Sequence, residues 1–520
     1  MGRYKFLSTK CVFSTMIFLV ALMGCDAGRQ DPVEDHKSYA AAVVEFRPYT
    51  KPPCKNYSYT PCTKKQAQDY MIKNLQSLHR QLNRSKLNIA VFPEDAITGA
   101  NFSNRASRFP FLENIPNVTD GVIINPCLNI QFLDRPVLMR LSCMAREHNL
   151  VLVANVGDVQ PCIPSSDPNC PSDHHYQYNT NVVFDSNGQL LAKYHKVHLF
   201  REEASSLNFG RSLEAVTFRT HFGVTFGMFT CYDILFCKPP FEFIKKNIKN
   251  IIFPTFWGSE YPFYISVHMQ QGWSWRTQVN LLAANQHFTR SHSGNFYSTG
   301  SGIYSAGYPL SYYLTGVQFD LPFAKGRLIT VPDVPAVPLS QPHRHIIRRN
   351  EDISHIIMKG TSFLNYSKNV LANPTGKISA SHTNDELNIT INCQLDYKLI
   401  STGNDLYAFT AAVVVQDRDP HNELYYAVCS LVKCDKNHDR SSCGDALHSN
   451  GYKTNTTFTE LKITGNFPAD SMVIPTVVGD ELTVLQPSCF YLGANSIKLN
   501  NGVKEKLLSA SLWARVGKNC

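Results

Sequence analysis

Charge is sparse in this chain: Asp, Glu, Lys and Arg make up 18% of its 520 residues. With 43% hydrophobic residues beside it, that scarcity excludes a mainly disordered protein, because there is ample apolar surface for a large core. Missing too is an uncharged apolar run of the roughly 20 residues that a membrane-spanning helix needs. Internal repeats and low-complexity tracts are absent, which sets repeat architectures aside. The charge excess of +9 has no dense focus. Its tightest cluster, His343-Arg344-His345 with Arg348-Arg349, is short and lacks interleaved aromatics, so it reads as a solvated basic stretch and not as a nucleic-acid site.

What the chain does contain begins with a leader. Arg3, Lys5 and Lys10 precede an apolar stretch from Val12 to Gly24 that ends in small residues, the pattern of a secretory signal peptide over residues 1–27. Its removal would lower the net charge to +7, since three basic residues and Asp26 leave with it. Leu22-Met23-Gly24-Cys25 also resembles a bacterial lipoprotein box. Seven Asn-x-Ser/Thr sites, at Asn56, Asn83, Asn101, Asn117, Asn365, Asn388 and Asn455, fit a eukaryotic secretory route better. The stretch from Leu507 to Cys520 is interrupted by Arg515 and Lys518 and lacks a glycolipid-anchor tail. A soluble, secreted, extracellular glycoprotein without a membrane span is expected.

Length alone would allow about three domains, but the texture suggests two. From residue 38 to 331 short apolar strands alternate with amphipathic helices, the sign of a layered α/β unit. Thr63 and Gln66 form a capping box ahead of helical spacing at Met71, Leu75, Leu78 and Leu82. A second helix is expected from Pro136 to Glu147 with Asp134 as its cap, and Asn187-Gly188 marks a hairpin. Prolines at 332, 335, 338 and 342 suggest an extended linker over 332–350. Residues 351–520 then read as a smaller β-rich domain.

Three strand ends carry reactive groups. Glu94 follows Val91-Phe92-Pro93, Lys196 stands in Lys193-Tyr194-His195-Lys196-Val197-His198-Leu199-Phe200, and Cys231 closes the apolar run Phe226-Gly227-Met228-Phe229-Thr230. Each alone has an ordinary explanation as turn, surface charge or disulfide. Their joint order is what carries meaning. Phe92-Pro93-Glu94-Asp95, Tyr194-His195-Lys196 with His198-Leu199, and Phe229-Thr230-Cys231-Tyr232-Asp233-Ile234 resemble the glutamate, lysine and nucleophile motifs of the carbon–nitrogen hydrolase (nitrilase) superfamily. Tyr178-Asn179-Thr180-Asn181-Val182-Val183, Thr299-Gly300-Ser301-Gly302-Ile303-Tyr304 and Val428-Cys429-x-Leu431-Val432-x-Cys434 with Cys443-Gly444 resemble its secreted branch of vanin pantetheinases and biotinidase.

The resemblance implies an α-β-β-α sandwich followed by a vanin-type β domain, and hydrolysis of a linear amide of a vitamin-derived small molecule through a cysteine thioester. Pantetheine, giving pantothenate and cysteamine, is the leading substrate. Biotin amides are the alternative, and a non-catalytic extracellular binding or adhesion protein is the alternative of another class. In these roles Cys231 is the nucleophile, activated as a thiolate by a helix N-terminus, and Glu94 the general base. Lys196, as oxyanion stabiliser and proton donor, and the backbone N–H of Tyr232 serve the oxyanion.

Loops after the catalytic strands, including Thr98 to Phe102 and Phe256 to Tyr264 with Trp257 and Gly258, would line the substrate pocket. His195 and His198 read as packing and hydrogen-bonding residues, and no third ligand at a motif spacing accompanies them, so neither metal nor cofactor is expected. The partners are a small amide and water; the sequence sets no oligomeric state. Close spacing favours disulfides Cys54–Cys62, Cys127–Cys143 and Cys162–Cys170. Of sixteen cysteines the leader holds two. With Cys231 reserved, the remainder is odd and implies one more cysteine that is free or pairs with another chain, for which Cys237 is the candidate on the presumed Cys231 helix.

Overall fold

The computed structural model describes residues 38–49, 62–82, 86–100, 102–288, 298–315, 325–338, 347–351, 367–417, 423–436, 442–443 and 452–517. The expected leader, Cys54 and the sequons at Asn56, Asn83, Asn101 and Asn365 lie outside these residues.

Two seven-stranded sheets stack face to face. The first runs in the order Lys325–Pro335, Ser38–Arg47, Ile89–Val91, Val151–Pro161, His175–Phe184 and Leu190–His195, with Leu112–Glu113 added on Val151–Pro161. The second runs Ile347–Glu351, Tyr308–Thr315, Ser301–Ser305, Asn280–Asn285, Asn250–Thr255, Thr225–Met228 and Thr217–Arg219. Parallel pairs form the middle of each sheet, which is why these strands read as continuous apolar runs. Val43, Val91 and Val153 of one sheet meet Phe226, Ile252 and Leu282 of the other in a shared core.

Alternate residues of the first sheet, such as Ala42, Val44 and Leu152, point the other way. They bury Leu75 and Leu78 of the Lys64–Leu82 helix and Leu138 and Leu141 of the Pro136–His148 helix. The Thr63–Gln66 capping box is present, with the Thr63 N–H on Gln66 Oε1 at 2.9 Å and the Gln66 N–H on Thr63 Oγ1 at 3.3 Å. Asp134, in contrast, does not cap the second helix. Glu113 does so from elsewhere in the chain, its carboxylate accepting the Val137 and Leu138 N–H groups at 2.9 and 2.8 Å. Such a tertiary cap leaves no local signature.

The expected linker over 332–350 needs correction at both ends. Lys325–Pro335 continues as a strand antiparallel to Ser38–Arg47, and Ile347–Glu351 pairs parallel with Tyr308–Thr315. Pro332 and Pro335 fit because this strand is the sheet edge, where a missing N–H is tolerated. Beyond residue 366 the described chain forms a ten-stranded sheet whose neighbours are antiparallel.

The Ser266–Thr277 helix lies between the second sheet and this β domain and is buried over most of its surface. Its glutamines bond to both sides: Gln270 donates to the Gly300 carbonyl at 2.9 Å, and Gln271 to those of Gly307 and Leu485 at 3.0 and 2.6 Å. At Gly272 the β domain packs close to the helix backbone, since a Cβ there would stand 2.0 Å from the Pro475 carbonyl oxygen. Gly272→Ala is therefore expected to destabilise the protein by about 1–3 kcal/mol despite better helix propensity. A thermal melt with an unshifted midpoint would contradict this close packing.

Disulfides join Cys127 to Cys143, Cys162 to Cys170, Cys393 to Cys429 and Cys434 to Cys443. Cys237 is also disulfide-bonded and is not the second thiol.

Candidate active site

Each reactive side chain stands just beyond the C-terminal end of a strand, and the three strand ends meet at one edge of the sandwich. Glu94 follows Ile89–Val91, Lys196 follows Leu190–His195, and Cys231 follows Thr225–Met228. All three are buried between the sheets, Glu94 to 2% and Lys196 to 1% exposure. The Lys196 ammonium donates to Glu94 Oε1 at 2.7 Å and to Glu203 Oε2 at 2.6 Å. Cys231 lies against Glu94, within reach of a side-chain hydrogen bond.

Both Glu94 carboxylate oxygens are engaged. Oε1 also accepts from Asn179 Nδ2 at 2.8 Å, and Oε2 accepts the Phe256 backbone N–H at 2.8 Å. Asn155 orders the row behind it, donating to Asn179 Oδ1 at 2.6 Å and Asn181 Oδ1 at 2.9 Å while its own Oδ1 accepts the Asp95 N–H at 3.0 Å. Asn181 in turn donates to Thr230 Oγ1 at 2.9 Å, one residue before the nucleophile.

Asp233 ties the lysine and cysteine turns together. Its carboxylate accepts the Thr230 N–H at 2.9 Å, the His198 N–H at 2.8 Å and the Tyr194 hydroxyl at 2.7 Å. Cys231 itself sits in the left-handed region at φ 46°. For a non-glycine residue this is a strained conformation that the surrounding bonds must hold.

Electrostatics divide the labour. Burial, and then the Glu94 charge, push the Cys231 thiol well above its usual value, with Lys196 opposing. Burial also raises Glu94, although Lys196 pulls it down. Burial alone would lower Lys196, but Glu203 and Glu94 carry it well above the normal lysine range, so it is cationic. Glu203 is held below the usual carboxylate range because Lys196 outweighs its burial.

These shifts correct one expectation. Cys231 opens a single 3₁₀ turn that ends at Leu235 and not a long helix, so its dipole is slight, and Cys237 lies beyond the turn. The resting sulfur is a thiol that needs a base. Glu94, Asp95 and Glu203 lie close enough together to suggest a cation site, but the Lys196 ammonium already bonds two of them and Arg108 stands 3.8 Å from Asp95.

The remaining expected residues fall into place by contact. The Tyr232 ring packs edge-on to Phe200 and Phe236, while its backbone follows Cys231 into the turn. His195 stacks on Tyr178 and bonds Asp158 Oδ2 at 2.8 Å; His198 stacks on Phe236 and bonds the Lys238 carbonyl at 2.8 Å. Trp257 turns its indole N–H inward to the Tyr264 carbonyl at 2.7 Å, and Gly258 pairs with Ser298. Within that loop it is the Phe256 N–H that touches Glu94.

Glu203 and Asn155 carry no sequence signal of their role, and Phe256 stands out only as the first residue of the 256–264 loop. Glu203 follows Lys196 by seven positions in an acidic pair that resembles solvated surface. Asn179 and Asp233 stood inside quoted motifs without a role. Replacing Asn155 by Ala leaves the Asn179 and Asn181 oxygens and the Asp95 N–H without this partner, and is expected to cost about 2–4 kcal/mol. Denaturant unfolding measures it, and a loss below about 1 kcal/mol would deny the row its structural weight.

Residues 51–306 match the carbon-nitrogen hydrolase family, and residues 360–519 match the vanin C-terminal domain. The chain is 33% identical to a pantetheinase of Homo sapiens over 500 residues, 92% of this chain and 89% of that one. It is 34% identical to a biotinidase of Takifugu rubripes over 519 residues, covering 92% and 94% of the two chains. A biotinidase of Bos taurus is 40% identical over 295 residues, 55% of this chain and 53% of its own.

Proposed function

Because this chain belongs to the carbon–nitrogen hydrolase family, in the branch with a vanin C-terminal domain, and hydrolyses amide C–N bonds, we propose that it cleaves pantetheine to pantothenate and cysteamine through a thioester on Cys231. The observation that carries the reading is the buried contact of Glu94 with both Lys196 and Cys231.

In this mechanism Glu94 takes the Cys231 proton as sulfur attacks the amide carbonyl. Lys196 Nζ and the Tyr232 N–H hold the oxyanion. Collapse of the tetrahedral intermediate breaks the C–N bond, and Glu94 returns its proton to the departing amine. Water then attacks the thioester, again losing its proton to Glu94. The acid leaves, and the proton passes back to the Cys231 sulfur. Glu203, ionised and bonded to Lys196, keeps that ammonium charged and aimed throughout.

Biotin-amide hydrolysis is the second reading, favoured by the 40% identity of the bovine biotinidase over its matched segment. Turnover of pantetheine and biocytin by the purified protein is the deciding comparison. Faster release of cysteamine supports the first reading, and faster release of lysine replaces it with the second.

A substrate-derived adduct on Cys231, found by mass spectrometry and absent in Cys231→Ser, is expected whichever amide wins. No adduct and no amine release from any amide would favour a binding protein on this fold. Glu94→Gln should lower turnover by about a thousandfold while the melting temperature stays near that of the wild type. Near-normal activity would remove Glu94 from the mechanism.

We also propose that the protein is secreted and glycosylated. Four disulfides support this, as does the exposure of Asn117, Asn388 and Asn455, the three sequons among the described residues. Glycosidase digestion of the protein from a eukaryotic host should lower its apparent mass; an unchanged mass would refute glycosylation.

A further inference from the structure

The base assigned to Glu94 is held at one oxygen by a loop that the C-terminal domain grips. Phe256, which donates its N–H to Glu94, opens that loop. Trp257 next to it bonds back to the Tyr264 carbonyl at 2.7 Å and so draws the two ends of the loop together. The Tyr264 hydroxyl then crosses into the β domain. It accepts the Trp513 indole N–H at 3.0 Å and donates to Gln416 Oε1 at 3.0 Å.

Aromatic rings close round this junction, with Tyr264, Tyr426 and Trp513 at centroid separations of 5.8 to 6.1 Å. Further bonds hold the middle of the loop: Tyr261 donates its hydroxyl to the Leu508 carbonyl at 2.6 Å and accepts the Lys433 N–H at 3.0 Å, and Ser509 donates to the Pro262 carbonyl at 3.1 Å. Tyr264 and Trp513 are both buried. A buried phenol and indole need matched polar partners, and each finds its partner across the domain boundary.

We propose that the C-terminal domain sets the position of the catalytic base: the Tyr264–Trp513–Gln416 junction fixes the 256–264 loop so that the Phe256 N–H stays on Glu94. This rests on the reading of Glu94 as the base. The three are positioning residues. The charged and titratable groups facing Glu94 are Lys196 and Glu203 from the lysine turn and Cys231 from its own turn, with neighbouring Asp95 and Arg108 behind them. Loosening the loop takes an N–H away from the carboxylate, which raises its pKa. The acid limb of the rate profile then moves to higher pH.

The experiment uses the full chain and the better substrate, with kcat, KM and melting temperature measured from pH 4 to 9. Tyr264→Phe and Trp513→Phe should each lower kcat about three- to tenfold and shift the acid limb upward by about half a unit, with KM little changed. Arg276→Ala serves as the control. It removes bonds from the other side of the same domain boundary, to the Gly493 and Ala494 carbonyls, without touching the loop. It should lower the melting temperature and keep the wild-type profile.

Tyr264→Phe removes one oxygen atom and carries the test if Trp513→Phe does not fold. Junction variants that behave like Arg276→Ala, less stable with unchanged kcat and pH profile, overturn the proposal. An inactive Glu94→Gln beside such unmoved variants overturns this proposal alone. An active Glu94→Gln overturns the base assignment and this proposal with it.

Discussion

One ammonium between two carboxylates governs this molecule. Lys196 is buried to 1% exposure and bonds both Glu94 and Glu203. An uncompensated charge there would cost many kcal/mol, and removing one partner from a buried pair typically costs about 3–5 kcal/mol. Two carboxylates round one ammonium leave a net negative cluster. Glu203, whose side chain is 16% exposed against 2% for Glu94, is held ionised by Lys196, while burial lifts Glu94. Taking the thiol proton neutralises Glu94 and passes the charge to sulfur, and, as sulfur attacks, to a carbonyl oxygen that the Lys196 ammonium stabilises.

The cluster in turn dictates what the strands between the sheets carry. Strands buried on both faces favour apolar residues, yet Asn155 on Val151–Pro161 and Asn179 and Asn181 on its antiparallel neighbour His175–Phe184 are buried there. They form one connected row from the Asp95 N–H to Thr230. Asp233 does for the lysine and cysteine turns what the asparagines do for the glutamate turn. A half-satisfied network here would be worse than an apolar core, which explains why the site is built from rigid strand ends and not from long free loops.

Legibility followed the range of the interactions. The strand ends holding Glu94, Lys196 and Cys231, the Thr63 capping box and the Asn187-Gly188 hairpin all rest on neighbours a few residues apart, and the sequence shows them. The Glu113 cap does not, because it reaches Val137 and Leu138 from another element. Pro332 and Pro335 looked like linker because a proline run carries no sign that its strand lies at a sheet edge. Glu203 looked like surface because burial is a property of the assembled sandwich. Cys237 failed for the related reason that the 3₁₀ turn after Cys231 ends at Leu235, which an apolar run of helix-compatible residues does not reveal.

The raised thiol also resolves a conflict inherent in the composition. A cysteine nucleophile shares this chain with four disulfides among the described residues. Thiol–disulfide exchange requires a thiolate with access to a disulfide sulfur. A Cys231 kept as a standing thiolate by a strong helix dipole would be exposed to exchange and oxidation throughout its life. Burial and the adjacent Glu94 charge keep it protonated at rest instead, and the carboxylate that suppresses the thiolate is the same group that can generate it. Reactivity is thereby confined to the moment when an electrophilic carbonyl stands beside Lys196, whose charge stabilises the oxyanion only after sulfur has attacked. The property that looked unfavourable for catalysis, a thiol far above its usual pKa, is what lets a reduced nucleophile persist among disulfides.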